Sequence, residues 1–460
     1  MGCYCMFEGQ GNIREKTVKK NVVVDLETGI LYRGVFWEGL WCWVRWNPFK
    51  AIGLPFYWVR GTLPSEITQV LNSTKIFPPV RGEVIDVLQN LKNQGSEITL
   101  IHKGMPGLAA GMQARMGLFD KVSTRLPDTD FTYVTTRGDA QHWQKASAGI
   151  VFGDKLGTEQ SFDIPVETKG EDSVSSIKLL MKAMRVHQWA KSLLVFAPII
   201  LSQRVMETNL WLSCVAAFLC FGLVSSSTYI MNDMLDLEAD RQHPTKRRRP
   251  FASGHMPLYW GGFLYFALLS VGLWVGFLVA PEVSLALAGY AIFNLAYTFK
   301  LKSIPVMDTF ILTSMYIWRL AVGSLAVSIS LSVWVYMYCV FFFFSLAQVK
   351  RVTELIQLSE SGDDPRQTGR GYSMSDLPML RGFGIAASFL SSGIFALYID
   401  AVGRGQDLSI WGINILCLYW LCRIWLLTTR GEMASDPVKF ALKDPASLLI
   451  GSLVLVLWFV

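Results

Sequence analysis

Long apolar segments constrain this chain more than any other feature. After about residue 180, nine stretches are long enough, or nearly so, to cross a hydrocarbon core of about 30 Å, which takes roughly 20 helical residues. A water-soluble core holds one or two helices this apolar, but not eight or nine in succession. The sequence therefore predicts a multi-pass all-α membrane bundle, with spans near 189–203, 210–231, 258–280, 282–299, 307–327, 331–349, 380–400, 408–429 and 444–460.

The residues before these spans have a different composition. They mix charges, turns and short apolar runs, although the whole chain is 52% apolar. We expect an N-terminal tail at 1–17, a small α/β domain at 18–166, a polar linker at 167–180 and a transmembrane domain at 181–460.

Lys and Arg are concentrated in the loops after the second, fourth, sixth and eighth predicted spans, whereas the opposite loops offer only Arg204 and Arg404. Short loops rich in these residues stay in the cytoplasm. We therefore expect the N-terminal domain and the basic loops to face the cytoplasm, and the C-terminus to lie on the other side. The net charge of +6 is interpreted as attraction to anionic lipid and phosphate ligands, not to nucleic acid.

A run of acidic residues follows the second span. Asn232, Asp236 and Asp240 are spaced by four, which puts them on one face of a helix, and Asp233 lies beside them. Stacked carboxylates repel one another unless a cation sits among them, and oxygen ligands suit Mg²⁺. The sequence therefore predicts a Mg²⁺ site. The alternative, a solvated amphipathic loop, explains the arginines downstream but not three polar groups in register.

Three predicted cytoplasmic loops add charged side chains to this site, and we expect them to converge on one pocket. A diphosphate leaving group needs positive charge, which the run Lys246–Arg249 supplies. Arg319 lies about three turns inside a span, where an ionised group usually lines a polar cavity. The alternative for Arg319 is a satisfied residue of the bundle interior. The other members are Tyr297, Lys300, Lys302, Asp308, Lys350, Arg351, Glu354, Arg370 and Tyr372.

The Asn-Asp-x-x-Asp-x-x-x-Asp run and the pattern of spans resemble the UbiA superfamily of prenyltransferases, whose two aspartate-rich loops bind a Mg²⁺-diphosphate. The likeness is closer to the decaprenyl-phosphate phosphoribosyltransferase branch. Ser192 departs from that branch, where Asn is expected. The residues that carry the likeness are Arg185 to Lys191, His243 to Lys246 with Arg249-Pro250, Leu301-Lys302 with Asp308, Lys350-Arg351 with Glu354-Leu355, and Asp436-Pro437 with Phe440-Ala441-Leu442.

This resemblance implies Mg²⁺-dependent transfer of 5-phosphoribosyl from phosphoribosyl diphosphate to a polyprenyl phosphate, at the cytoplasmic face of the cell inner membrane. Two alternatives remain open: a UbiA-type enzyme that prenylates an aromatic or other acceptor, and a non-catalytic lipid-binding or transport protein. Oligomers are possible. The expected catalytic residues are Asp236, Asp240, Asp308, Lys191 and Arg319. The expected substrate-binding residues are Arg185, Lys246, Arg247, Arg249, Tyr297, Lys300, Lys302, Lys350, Arg351 and Arg370.

The N-terminal domain is predicted to have buried strands at 22–25 and 97–102, with acidic residues after the first. Carboxylates at the C-terminal ends of parallel strands lie where such folds bind ligands. The pattern resembles the haloacid-dehalogenase phosphatase fold, with several departures. Glu27 replaces the second aspartate, Thr28-Gly29 inverts the usual order, and Asp139 is the sole carboxylate near Thr135-Thr136. We therefore expect a structural or regulatory role.

The segment 36–58 of this domain is rich in Trp, Phe and Tyr and is broken by Pro and Gly. We interpret it as a contact with the bilayer or with the membrane domain. The alternative is a buried core of a cap.

Overall fold

A computed structural model describes residues 21–32, 34–47, 50, 53–72, 78–136, 140–152, 166–169, 175–243, 245–361, 370–433 and 436–459. The chain forms two compact units. The first comprises Met1–Ala183 with Asp233–Leu264, and the second comprises Met184–Asn232 with Tyr265–Val460. The predicted tail at 1–17 and Asp139 lie outside the described residues.

The first unit contains a six-stranded sheet in the order β3-β2-β1-β4-β5-β6. All five strand pairs are parallel. Its central strand, β1, is a continuous apolar run because both faces of a parallel sheet are covered, and Val22, Val23 and Val24 are fully buried. The predicted α/β character is confirmed, whereas the more specific likeness to the haloacid-dehalogenase fold is not. The strands are β1 Asn21–Asp25, β2 Glu97–Ile101, β3 Lys121–Ser123, β4 Thr132–Thr135, β5 Ala148–Phe152 and β6 Val166–Lys169.

Helices connect and cover these strands. A π-helical turn, Leu26–Ile30, follows β1 directly. Residues 167–180, predicted as a linker, contain most of β6 and the beginning of α7. The helices are α1 Val35–Trp46, α2 Leu54–Val59, α3 Leu63–Leu71, α4 Gly82–Asn93, α5 Pro106–Met116, α6 Ala140–Lys145 and α7 Ser176–Ala183.

The aromatic segment 36–58 is split between the core and the surface. On α1, Trp43 is fully buried and packs in one apolar cluster with Leu63, Ile67 and Leu71 of α3. The Trp43 indole N–H donates to Glu66 at 3.0 Å, which satisfies its one polar group. The exposed aromatic side chains are Trp37, Trp46, Phe56 and Trp58. The core interpretation therefore holds for one face of α1.

The described residues after α7 are mainly helical. Their short pieces include 3₁₀ turns at Val186–Phe196, Lys246–Arg248, Leu301–Ser303 and Met374–Asp376. The helices are α8 Ala197–Leu201, α9 Thr208–Leu235, α10 Leu237–Gln242, α11 Leu258–Val279, α12 Pro281–Phe299, α13 Met307–Val327, α14 Val333–Ser361, α15 Leu377–Ala401, α16 Leu408–Thr429, α17 Pro437–Ala441 and α18 Pro445–Phe459.

Six helices among the described residues are long and apolar enough to cross a membrane, namely α9, α11, α13, α14, α15 and α16. The predicted count of nine spans is therefore not confirmed. The first predicted span is broken into a 3₁₀ segment and the short α8, and α18 has only 15 residues. The fourth, α12, is long enough but carries Glu282 and Asn294, which lower its hydropathy.

Candidate functional site

The acidic run lies at a break between two helices. α9 ends at Leu235, Asp236 occupies the N-cap position, and α10 begins at Leu237. Asn232 therefore lies in α9 and Asp240 in α10, although the N–H of Asp240 donates to the carbonyl of Asp236 at 2.8 Å. That Asn232, Asp236 and Asp240 share one face stays a prediction. The helical segments on either side of Asp236 bury Asp233 and Asp240, whereas Asp236 is half-buried.

Arg249 joins the two buried carboxylates. Its Nη1 donates to Asp233 at 3.0 Å and to Asp240 at 2.5 Å. Burial raises the pKa of Asp240, although the guanidinium of Arg249 opposes this effect. Lys246 also acts to lower the pKa of Asp240. The two carboxylates therefore lie in a strongly basic setting, and their oxygens are of the kind that Mg²⁺ prefers.

The donor set agrees with Mg²⁺ delivered together with a substrate. No three His, Cys, Asp or Glu side chains converge on a preformed metal cage within the part of the chain that the structure describes. Mg²⁺ does not require such a cage, because it usually takes one or two carboxylates and completes its shell with water and substrate phosphates. The carboxylates of Asp233 and Asp240, with Asn232 and Asp236 adjacent in sequence, are oxygen donors of this kind.

The basic run forms an exposed 3₁₀ turn. Lys246, Arg247 and Arg248 are all exposed. Their charges are available to an anion in solution, because exposed side chains are not held by the protein interior. Arg249, the next residue, is the member of the run that turns inward to the aspartates.

A second charged cluster lies in the other unit. Its side chains come from α13, α14 and the chain before α15, and they are linked by hydrogen bonds. Arg351 donates to Asp308 and to Glu354, and Arg370 donates to the same oxygen of Glu354. Tyr372 donates to Asp308, and burial together with that bond raises the pKa of Tyr372. The exposed fraction of the Asp308 side chain is 0% and that of Arg351 is 1%, so this ion pair is held out of water. Tyr297 accepts from Arg351 at 3.5 Å.

Asp308 follows a strained turn. Val306 has φ +66° and ψ −43°, and the N–H of Met307 donates to the carbonyl of Pro305 at 2.8 Å. This is a γ-turn with positive φ, which is rare and costly for a β-branched residue. The N–H of Val306 donates to the Tyr372 hydroxyl at 2.7 Å. Tyr372 therefore contacts both the strained turn and the carboxylate that follows it.

The second unit contains three further basic residues of the predicted site. Lys191 donates to Asp436 at 2.6 Å. Burial alone would raise the pKa of Asp436, but the Lys191 ammonium outweighs it and holds that pKa below its ordinary value. The guanidinium of Arg185 lies 5.3 Å from the ring centre of Tyr229. Lys350 is half-buried within α14, about three turns before that helix ends.

Arg319 lies deep within α13 and is 4% exposed. Its guanidinium is within 5.7 Å of three ring centres, those of Phe221, Tyr290 and Tyr316. Its Nη1 donates to the carbonyl of Met315, and its Nε has no hydrogen-bond partner among the described residues. The aromatic faces stabilise the charge where water is excluded, so Arg319 is enclosed by the bundle.

The structure thus brings together two groups of the predicted residues. Asp233, Asp240 and Arg249 form one group, and Asp308, Arg351, Arg370 and Tyr297 form the other. Lys300 is exposed and Lys302 half-exposed at the turn after α12. Convergence of all three loops on one pocket stays a prediction.

Sequence reasoning missed two aromatic side chains that contact predicted basic residues, namely Tyr229 against Arg185 and Tyr316 against Arg319. Tyr229 lies three residues before Asn232, about one helical turn, and this spacing could have indicated it. Tyr316 lies three residues before Arg319 and has the same kind of spacing.

The strand ends of the N-terminal sheet hold a third polar group. Asp25 Oδ1 accepts from the backbone N–H of Glu27 at 2.9 Å and of Thr28 at 3.0 Å. Burial raises the pKa of Glu27, and the neighbouring Asp25 adds to this effect. Thr136 donates to the carbonyl of Thr28. The carboxylate oxygen at the end of β1 is thus engaged by its own turn.

Long apolar helices with buried acidic and basic side chains near their ends are typical of an integral membrane protein with a polar site. Moving such charged clusters out of water costs free energy, so they persist only where the charges are closely paired or serve the function of the protein. The chain belongs to the UbiA prenyltransferase family, whose model matches residues 193–450. It is accordingly a membrane transferase.

Several known proteins are similar to this chain. Uncharacterized protein y4nM of Sinorhizobium fredii is 27% identical over 95% of this chain and 90% of its own length. Nodulation protein NoeC of Azorhizobium caulinodans is 31% identical over 58% of this chain and 88% of its own. Decaprenyl-phosphate phosphoribosyltransferase of Mycolicibacterium smegmatis is 31% identical over 58% of this chain and 86% of its own. A solved UbiA homologue from Archaeoglobus fulgidus, bound to GPP and Mg²⁺, covers 61% of this chain and 98% of its own, with a TM-score of 0.47 and 15% identity.

Proposed function

We propose that this chain transfers a 5-phosphoribosyl group from phosphoribosyl diphosphate to a polyprenyl phosphate. A phosphate oxygen of the lipid forms a bond to C1 of the ribose, the bond from C1 to the diphosphate oxygen breaks, and diphosphate leaves with that electron pair. The observation that carries the proposal is the pair of buried carboxylates, Asp233 and Asp240, sharing Arg249 beside an exposed basic turn. The similarity to decaprenyl-phosphate phosphoribosyltransferase supports the choice of substrates.

The acidic segment would bind the leaving group. Asp233, Asp236 and Asp240, with Asn232, would hold Mg²⁺, which supplies charge neutralisation to the departing diphosphate. Arg249 is bonded to two of these carboxylates. Lys246 and Arg247, which are exposed on the adjoining turn, would bind phosphate oxygens directly. Preorganised charges of this kind stabilise the transition state because they need no rearrangement as the bond breaks.

Residues of the second unit would position the remaining anionic groups. The acceptor phosphate is already an anion, so it needs positioning more than deprotonation. We assign this to the basic side chains Lys191, Lys350 and Arg185, with Lys300 and Lys302 at the turn after α12. Asp308 and Glu354 orient Arg351 and Arg370, which fixes two guanidinium groups in a cluster that stays charged at every physiological pH. Arg319 is enclosed by aromatic rings. It would therefore stabilise the bound anions through the electric field of its charge, without touching them.

A second candidate is transfer of a prenyl group from a prenyl diphosphate to an aromatic or other acceptor. Membership of a family described as prenyltransferases favours it. Both candidates use a diphosphate leaving group, so the acidic segment would serve either, and the donor alone distinguishes them.

Mass spectrometry of the lipid product tests the proposal. Full-length protein in lipid nanodiscs is incubated with Mg²⁺, decaprenyl phosphate and isotope-labelled phosphoribosyl diphosphate, and in parallel with a prenyl diphosphate and 4-hydroxybenzoate. Label in a phosphoribosylated lipid, absent with Asp240→Asn, supports the proposal. Product in the second reaction alone supports the prenyl alternative. Turnover with neither donor contradicts both and favours a non-catalytic lipid-binding role.

A further inference from the structure

One face of α1 contacts the acidic segment within the first unit. Arg241 Nη2 donates to Glu38 at 2.8 Å, and Arg45 Nη1 donates to Glu238 at 3.3 Å. The indole N–H of Trp41 donates to the carbonyl of Met234 at 3.0 Å. Glu38, Trp41 and Arg45 are spaced by three and four, so they form one stripe of α1. Their partners belong to the same short stretch, 234–241.

The central pair of this contact is buried. The exposed fraction of the side chain is 8% for Arg241 and 7% for Glu38. Arg241 Nε also donates to the carbonyl of Ala252 at 3.3 Å, which ties the pair to the chain after the basic turn. A buried ion pair tolerates little displacement, because moving either partner leaves a charge without compensation.

Cys42 is buried on α1 next to this stripe. Burial raises the pKa of Cys42 to about 12, with Glu38 and then Glu238 adding to the rise, while Arg241 and Arg45 oppose it. Two charges of each sign therefore act on one thiol. Such balance lets the two surfaces meet without a net charge to hydrate.

The residues held by α1 and the carboxylates lie on different faces of the same stretch. Within α10, Glu238 and Arg241 lie about 60° apart around the helix axis, and Asp240 lies about 100° beyond Arg241. Before the break, Asp233 lies about 100° from Met234 on α9. Asp233 and Asp240 both meet Arg249. Contacts on one face therefore fix the direction in which the other face points.

Further contacts fasten the end of the segment to the same domain. The Tyr32 hydroxyl lies 3.2 Å from His255 Nε2, and Lys182 donates to the carbonyl of Arg248 at 2.8 Å. Gly254 has φ +82°, and a Cβ there would lie within 3 Å of Pro79 and Tyr32. The segment 233–255 is thus held at its beginning, its basic turn and its end.

We propose that the N-terminal domain is a positioning element for the acidic segment, and that Glu38, Trp41 and Arg45 are its positioning residues. They set the orientation of Asp233, Asp236 and Asp240 and do not touch the substrate. This goes beyond the proposed reaction and does not depend on which donor is used, because it concerns the geometry of the protein before ligand arrives.

The test compares full-length variants in nanodiscs by two readouts that need no turnover. Hydrogen–deuterium exchange of residues 234–243 without ligand measures how firmly the segment is held. Electron paramagnetic resonance of Mn²⁺ with inorganic diphosphate measures metal binding. The variants are Glu38→Gln, which removes the buried charge, and Trp41→Phe, which removes one N–H donor. The matched control is Glu97→Gln, which breaks the exposed Lys121–Glu97 pair of the same domain.

We expect Glu38→Gln to accelerate exchange at 234–243 and to weaken Mn²⁺ binding, each by about tenfold or more. Trp41→Phe should give a smaller change of the same sign, and Glu97→Gln no change. Wild-type exchange at 234–243 in Glu38→Gln overturns the proposal. If β1 also loses protection in Glu38→Gln, the domain has unfolded in that variant, and Trp41→Phe decides instead. Unchanged exchange at 234–243 in Trp41→Phe then overturns the proposal. A wild type that binds no Mn²⁺ contradicts the metal site of the proposed function, while the exchange measurement still decides this inference.

Discussion

Replacing Asp308 with Asn should destabilise the protein strongly, because it removes the charge of a fully buried ion pair and keeps the side-chain shape. The side chains of Asp308 and Arg351 are 0% and 1% exposed. Breaking a buried pair by removing one partner costs about 3–5 kcal/mol, since the other charge stays buried. Arg351 retains Glu354 as a partner. We therefore expect the lower end, about 3 kcal/mol of unfolding free energy.

The measurement is reversible unfolding in mixed micelles, followed by tryptophan fluorescence and by far-ultraviolet circular dichroism to check that the two transitions coincide. Arg404→Gln provides the matched control. Arg404 pairs with Asp407, and their side chains are 31% and 29% exposed, so solvent screens the pair. Its loss should cost no more than about 1 kcal/mol. A loss below about 1 kcal/mol for Asp308→Asn, or an equal loss in the control, would refute the argument from burial.

Four further predictions concern Asp240, Val306, Asp436 and the N-terminal domain. Asp240→Asn should reduce transfer by about 10²- to 10³-fold in a product assay. The protein should still fold, because Arg249 is 26% exposed and keeps Asp233 as a partner; near-normal turnover at saturating Mg²⁺ would contradict the role of Asp240. Val306→Gly should stabilise the protein by about 1 kcal/mol in the same unfolding assay, because glycine adopts positive φ without strain; a loss of stability would show that the valine side chain matters more. Although burial opposes it, Lys191 holds the pKa of Asp436 below its unfolded value of 3.8. The stabilisation is therefore complete above that value and lost as the pH falls through the folded pKa, so the difference in stability between wild type and Asp436→Asn should be full at about pH 7 and shrink only as the pH falls below 3.8. The N-terminal domain should release no phosphate from phosphoribosylated lipid or a generic phosphomonoester in full-length protein, and Mg²⁺-dependent release that disappears in Asp25→Asn would disprove this.

The fold was predictable where a pattern is local. Segment length and hydropathy predicted the helices that became α9, α11, α13, α14, α15 and α16, because a membrane span is defined by its own composition. The strand β1 was predictable for a similar reason, since an apolar run ending in acidic residues is typical of a buried parallel strand.

The geometry of the candidate site was less predictable because it depends on contacts distant in sequence. Spacing indicated the aspartates but not the helix break at Asp236, which a purely periodic pattern does not register. Nor does spacing reveal that Arg351 would bind Asp308, 43 residues away. The γ-turn at Val306 had no signal, because valine is among the residues least expected at positive φ.

The buried pair of Glu38 and Arg241 also has a consequence for biosynthesis, because its partners are 203 residues apart in the chain. At about 5–20 residues per second, Arg241 is synthesised roughly 10–40 s after Glu38. During that interval the ribosome has produced α1 but not the segment that pairs with it, so Glu38 lacks its cationic partner. Hydrogen exchange of α1 in stalled nascent chains of increasing length would therefore show when the domain captures that partner.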